Sequence, residues 1–71
     1  MATKVEAHIT GTVWKFEKAV GDAVEEGDII VILESMKMEM PVEAPEDGTL
    51  TEILVEPGEA VSEGQVLAMI E

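Results

Sequence analysis

The 71-residue sequence has no cysteine and no arginine, and His8 is its only histidine. The absence of cysteine excludes disulfides and thiolate metal sites. A single histidine cannot build a His-rich metal cluster, so no metal site is expected. Basic charge is scarce as well: four lysines stand against 16 Asp and Glu, for a net charge of −12. Such a surface repels phosphate backbones and anionic bilayers. Neither nucleic acid nor membrane is therefore expected as a partner, and basic protein surfaces are favoured. Long apolar runs are missing too. None is longer than the five residues of Ile29 to Leu33, where a spanning helix needs about 20. No apolar secretory region opens the chain, and a cytoplasmic location is the expectation.

What the chain does have is aliphatic: nine Val, six Ile, four Leu and seven Ala, with five Met, one Phe and one Trp. That suffices for one compact core and leaves no room for a second. An internal repeat shows how the core is built. Residues 7–34 align with residues 44–71 without a gap, and nine of 28 positions are identical, Gly11/Gly48, Gly21/Gly58 and Gly27/Gly64 among them. Chance would give roughly three. Two copies are too few for a solenoid, which needs about three stacked units. Two halves of one closed core, related by a pseudo-two-fold axis, fit better.

Each half reads as short strands between turns. Thr12–Phe16 is rich in β-branched and aromatic residues. Pro57-Gly58, Glu26-Gly27, Glu63-Gly64 and Asp47-Gly48 are turn signals. Ile29–Leu33 is wholly apolar and predicts a strand covered on both faces. No stretch sustains the apolar spacing of a helix. An all-β sandwich or flattened barrel follows.

Nine residues, Ser35 to Glu43, link the copies. From Met38 onward the pattern has period two, with Met38, Met40 and Val42 on one face and Glu39 and Glu43 on the other. A two-residue turn at Met36-Lys37 would set Leu33 opposite Met40, Val31 opposite Val42 and Glu34 opposite Glu39. A slip of one residue would turn acids onto the core, so the pattern supports this register. In this register Met38 and Met40 are expected to fill part of the core, and Met36 points outward. Met-Lys is a poor choice for such a turn, because tight hairpin turns need positive φ and favour Asn-Gly. A local rule broken at one place points to function.

Lys37 is the only basic residue after Lys18. A lone protruding lysine can be acylated to a neutral amide. Exposed lysine amines are almost wholly protonated at neutral pH, so activation has to come from a second protein. Schiff-base catalysis by Lys37 itself is not expected.

Glu34-Ser-Met-Lys-Met38 closely resembles the E-A-M-K-M biotin-attachment motif of biotinyl carrier domains, of the biotinyl/lipoyl carrier domain family. Gly11–Val13, Val20–Asp28, Ala44–Gly48 and Gly58–Gly64 resemble that family's turn signatures. The resemblance covers essentially the whole chain, and residues 1–71 are read as a single biotinyl domain. The pattern is nearest to the small stand-alone attachment proteins of the biotin carboxyl carrier type. Ser35 stands where Ala is commonest, a small-for-small change. Ala7-His8 replaces the usual Ala-Pro, and His8 is read as a surface turn residue. No inserted thumb is visible. The pattern fits a minimal carrier or a domain cut from a longer protein.

The resemblance implies a barrel-sandwich hybrid, two four-stranded sheets related by a pseudo-dyad, with Lys37 on an exposed β-hairpin. It implies that biotin protein ligase attaches biotin to Lys37, with Met36, Met38 and Glu34 as recognition residues. The chain would then carry carboxylated biotin between a biotin carboxylase and a carboxyltransferase acting on an acyl-CoA or keto acid, and would itself catalyse nothing. Two alternatives stay open: a lipoyl carrier of a 2-oxo acid dehydrogenase complex, whose tip is typically D-K-A, and an unmodified acidic interaction module.

Overall fold

The computed structural model describes residues 2–71 and contains strands and turns only. The eight strands are β1 (Thr3–Glu6), β2 (Gly11–Phe16), β3 (Ala23–Val24), β4 (Ile29–Ser35), β5 (Met38–Glu43), β6 (Gly48–Ile53), β7 (Ala60–Val61) and β8 (Val66–Ile70). They form two four-stranded sheets, ordered β1-β8-β6-β3 and β5-β4-β2-β7, with every neighbouring pair antiparallel.

The two sheets repeat each other at an offset of 37 residues. β2 pairs β4 as β6 pairs β8, and each pairing carries an irregularity at an equivalent place, Trp14 in one and Thr51 in the other. β5 pairs β4 as β1 pairs β8, with Ile30 and Leu67 as the extra residues. The correspondence therefore reaches back through β1 and β5, where Val5/Val42 and Glu6/Glu43 are further identities.

Turns recur in the same way. The Asp22 carboxylate accepts from the Ala19 N–H at 2.9 Å, and that of Glu59 accepts from the Glu56 N–H at 3.1 Å. Asp28 and Gln65 accept from Glu25 and Ser62. Even where the residue type changes the bond survives: Asp47 accepts from the Glu26 N–H at 2.8 Å, and the Thr10 hydroxyl accepts from the Glu63 N–H at 3.2 Å. Each of these bonds holds a turn closed on backbone groups that no strand partner could reach.

The core is wholly aliphatic and lies between the sheets. Ile30, Leu33, Leu50 and Leu67 are fully buried at its centre, with Val5, Val13, Val31 and Ile70 around them. Each such side chain contributes about 1.5–3 kcal/mol relative to exposure. No polar side chain is buried among the described residues. Phe16 and Ile53, equivalent in the repeat, pack against the core from its edge.

The expectation that Ile29–Leu33 would be covered on both faces is corrected. Ile30, Val31 and Leu33 are buried, whereas Ile29 is exposed and Ile32 half-exposed. The outer face of this sheet meets no second layer. Two successive residues are nevertheless buried because the bulge at Ile30 sets two residues against one on the partner strand. β8 repeats the pattern with Leu67 and Ala68. No helix long and apolar enough to cross a membrane occurs among the described residues.

Candidate functional site

β4 and β5 form a hairpin whose pairs run Val31/Val42, Ile32/Pro41, Leu33/Met40, Glu34/Glu39 and Ser35/Met38. This is the register the alternation predicts. Only Met36 and Lys37 remain for the turn, and both take positive φ, 52° and 64°. They are the only non-glycine residues to do so among the described residues; the other positive-φ positions are Gly21, Gly27, Gly58 and Gly64. For an L-residue this region costs roughly 1–2 kcal/mol, because Cβ crowds the following carbonyl. The strain persists because the ladder below the turn is closed up to Ser35/Met38 and leaves no slack.

The hairpin is braced near its tip by Gly11. A Cβ there would lie 2.6 Å from the carbonyl oxygen of Glu34 and 3.4 Å from Cβ of Ser35. β2 therefore approaches β4 closely just below the tip, and only glycine permits it.

At the tip the side chains face water. Met36 is 92% exposed and Met38 62%. The expected core filling by Met38 and Met40 is corrected: Met40 too is exposed, at 38%. Both have the inward phase, but β5 is the outermost strand of its sheet, and toward the tip the opposing sheet no longer covers it. Glu34 and Glu39, paired across the ladder, are exposed. The tip thus presents one lysine between two thioethers, with two carboxylates below.

The other lysines stand in different surroundings. Lys15 lies 3.2 Å from a Glu17 carboxylate oxygen, and its Nζ sits 4.7 Å from the centre of the Trp14 ring. Lys18 lies 3.9 Å from Asp28. Lys4 lies within β1 and lines a shallow cleft of about 140 Å³ with Glu6, His8, Glu43 and Pro45. No carboxylate within ion-pair distance of Lys37 occurs among the described residues. His8 is an exposed bend residue. No group of three or more His, Asp or Glu is gathered to hold a metal among the described residues. Chemically the tip offers one thing, an accessible primary amine on a rigid support, which fits a group bound through an amide.

Sequence reasoning placed Gly11 in the repeat and in a family signature, but not as a support of the site. Its identity with Gly48 signals that both positions need glycine, but the close approach is visible only in three dimensions.

Comparison with known proteins identifies the family and the fold. The chain is 49% identical over 67 residues to the biotin-dependent acyl-coenzyme A carboxylase alpha3 subunit of Mycobacterium leprae, covering 94% of this chain and 11% of the subunit. It is 42% identical over 55 residues to the biotinylated protein TB7.3 homolog of the same organism, covering 78% of each. Among solved structures, the urea carboxylase of Kluyveromyces lactis superposes with a TM-score of 0.95 at 41% identity, over all of this chain and 6% of that one. The chain thus spans about a tenth or less of the two carboxylases it resembles. The biotin/lipoyl family profile, described as biotin-requiring enzyme, matches residues 1–70; the chain belongs to that family.

Proposed function

We propose that the chain is the biotin-bearing carrier of a biotin-dependent carboxylase, and that Lys37 is its attachment residue. The observation that carries this reading is the strained two-residue turn, which presents an accessible lysine between Met36 and Met38. The biotin-requiring family and the carboxylase relatives support the choice of group.

Attachment forms an amide between Nζ of Lys37 and the side-chain carboxyl carbon of biotin. The amine must first lose a proton, and the activating group leaves from that carboxyl carbon. Among the described residues no carboxylate lies within ion-pair distance of Lys37 and no pocket encloses it, so deprotonation and activation both come from a biotin protein ligase. Once attached, biotin supplies a ring nitrogen that accepts a carboxyl group and gives it up.

The chain's own residues hold and present. The ladder, closed up to Ser35/Met38, holds Lys37 in an exposed turn. Glu34 and Glu39 set negative charge where a basic enzyme surface approaches, which favours encounter. Met36 and Met38 supply apolar contact of adaptable shape. Tethering then holds the group at high effective concentration for a biotin carboxylase and a carboxyltransferase.

The test is intact-mass analysis after co-expression with biotin protein ligase. One biotin adduct is expected, located at Lys37 by peptide mapping, and none in Lys37→Ala. An adduct on Lys4, Lys15 or Lys18 in that variant would refute the single site. A lipoyl adduct instead would make the chain a lipoyl carrier, and none at all an acidic interaction module.

A further inference from the structure

Four methionines lie among the described residues, and three of them fall within five positions around Lys37. Their exposure is graded: Met36 is 92% open, Met38 62% and Met40 38%, while Met69 on β8 is half-buried. The chain has no cysteine to compete for a two-electron oxidant. The most accessible sulfurs of the described residues therefore flank the one lysine proposed to be modified.

We infer that Met36 and Met38 form a reversible oxidation site, and that their conversion to sulfoxides closes Lys37 to the biotin-attaching enzyme. The inference rests on Lys37 being the attachment residue. The oxidant is a peroxide. A lone pair of the thioether sulfur attacks one peroxide oxygen, the O–O bond breaks, an S–O bond forms, and water leaves after proton transfer. Sulfur is oxidised by two electrons and the peroxide reduced by two.

The consequence follows from the position of the two side chains. A thioether offers an adaptable apolar surface, whereas a sulfoxide is polar and chiral and accepts hydrogen bonds. On a partner surface shaped for thioethers, the new oxygen would lose water without gaining a donor. The fold is untouched, because neither side chain belongs to the aliphatic core. The ladder at Ser35/Met38 is made by backbone groups that oxidation does not alter. The change is also reversible, since sulfoxide reductases restore the thioether.

The experiment treats the unbiotinylated chain with graded hydrogen peroxide and removes the peroxide with catalase before the ligase is added. Peptide mapping then gives the sulfoxide fraction at each methionine, and the initial rate of biotin transfer is measured on the same samples. Met36 should convert first, Met38 next and Met69 last. Full conversion of the first two should slow transfer by about tenfold or more, with the circular dichroism spectrum unchanged. Treatment with sulfoxide reductases of both stereochemical types should restore the rate. The doubly substituted Met36→Leu, Met38→Leu chain should be transferred to at the same rate before and after peroxide.

A transfer rate unchanged at full conversion of Met36 and Met38 would overturn the inference. So would loss of rate that follows Met69 rather than Met36, or that peroxide still causes in the Leu variant. These outcomes leave the attachment residue standing. Failure of the untreated chain to accept biotin at Lys37 sinks instead the reading beneath it.

Discussion

The two halves of this chain make the same strands, the same bulges and the same side-chain-closed turns, yet only the junction between them carries a strained hairpin. Elsewhere the chain meets positive φ with glycine, at Gly21 and Gly27 in the first half and Gly58 and Gly64 in the second. At Met36 and Lys37 it does not. Where the fold repeats, side chains satisfy local backbone rules; where it does not repeat, the residues are chosen for what they present. The halves also differ in dress. Trp14 and Ile32 of the first correspond to Thr51 and Met69 of the second, so the sheet that bears Lys37 has the more apolar outer face.

The comparison breaks first at the paired glycines. In Gly11→Ala the new Cβ meets a backbone oxygen, and in Gly48→Ala it meets Cγ2 of Ile70 at 2.5 Å and the Glu71 carbonyl oxygen at 2.9 Å. Each substitution should lower unfolding free energy by about 1–3 kcal/mol, measured by urea denaturation. Only Gly11→Ala should also slow biotin transfer, because only Gly11 lies against the hairpin just below its tip. Equal slowing in both, under conditions where both are folded, would show that the support is not local.

A gain of stability is expected at the turn. Asn tolerates positive φ where Met does not, so Met36→Asn should raise the melting midpoint, with a stabilisation of about 1 kcal/mol. The same chain should accept biotin more slowly. A variant that is no more stable would mean that the turn stores no strain.

The smallest effect sharpens the likeness of the halves. Thr10→Ala and Asp47→Ala each remove one acceptor for a turn N–H, from Glu63 and Glu26 respectively. Each should cost about 0.5–1.5 kcal/mol. In the double variant the losses should add within about 0.5 kcal/mol. Strong coupling would reveal that the two turns sense each other through the core.

Much of this was legible in the sequence, for reasons that can be named. The hairpin register was readable because the alternation of Met38–Glu43 admits one pairing that keeps acids off the core. The turn at Met36-Lys37 was readable from length alone, although its residues argue against it. Depth of burial was not readable. Alternation gives the phase of Met38 and Met40 but not how far the opposing sheet extends over an outermost strand. The bulges at Trp14, Ile30, Thr51 and Leu67 were hidden as well. One unpaired residue leaves hydropathy almost unchanged while shifting every later contact.

The ladder that closes right up to Ser35/Met38 has a mechanical consequence. A longer loop would work as a wrist, adding its own swing to that of the side chain and blurring the starting position of every stroke. If biotin is attached at Lys37 as proposed, the closed ladder is the mount and the joint lies in the arm, in the flexible four-carbon stem of Lys37 and the group joined to it. Reach is then set by the arm's length and aim by the body of the domain. An enzyme that grips the sheet also knows where the stroke begins.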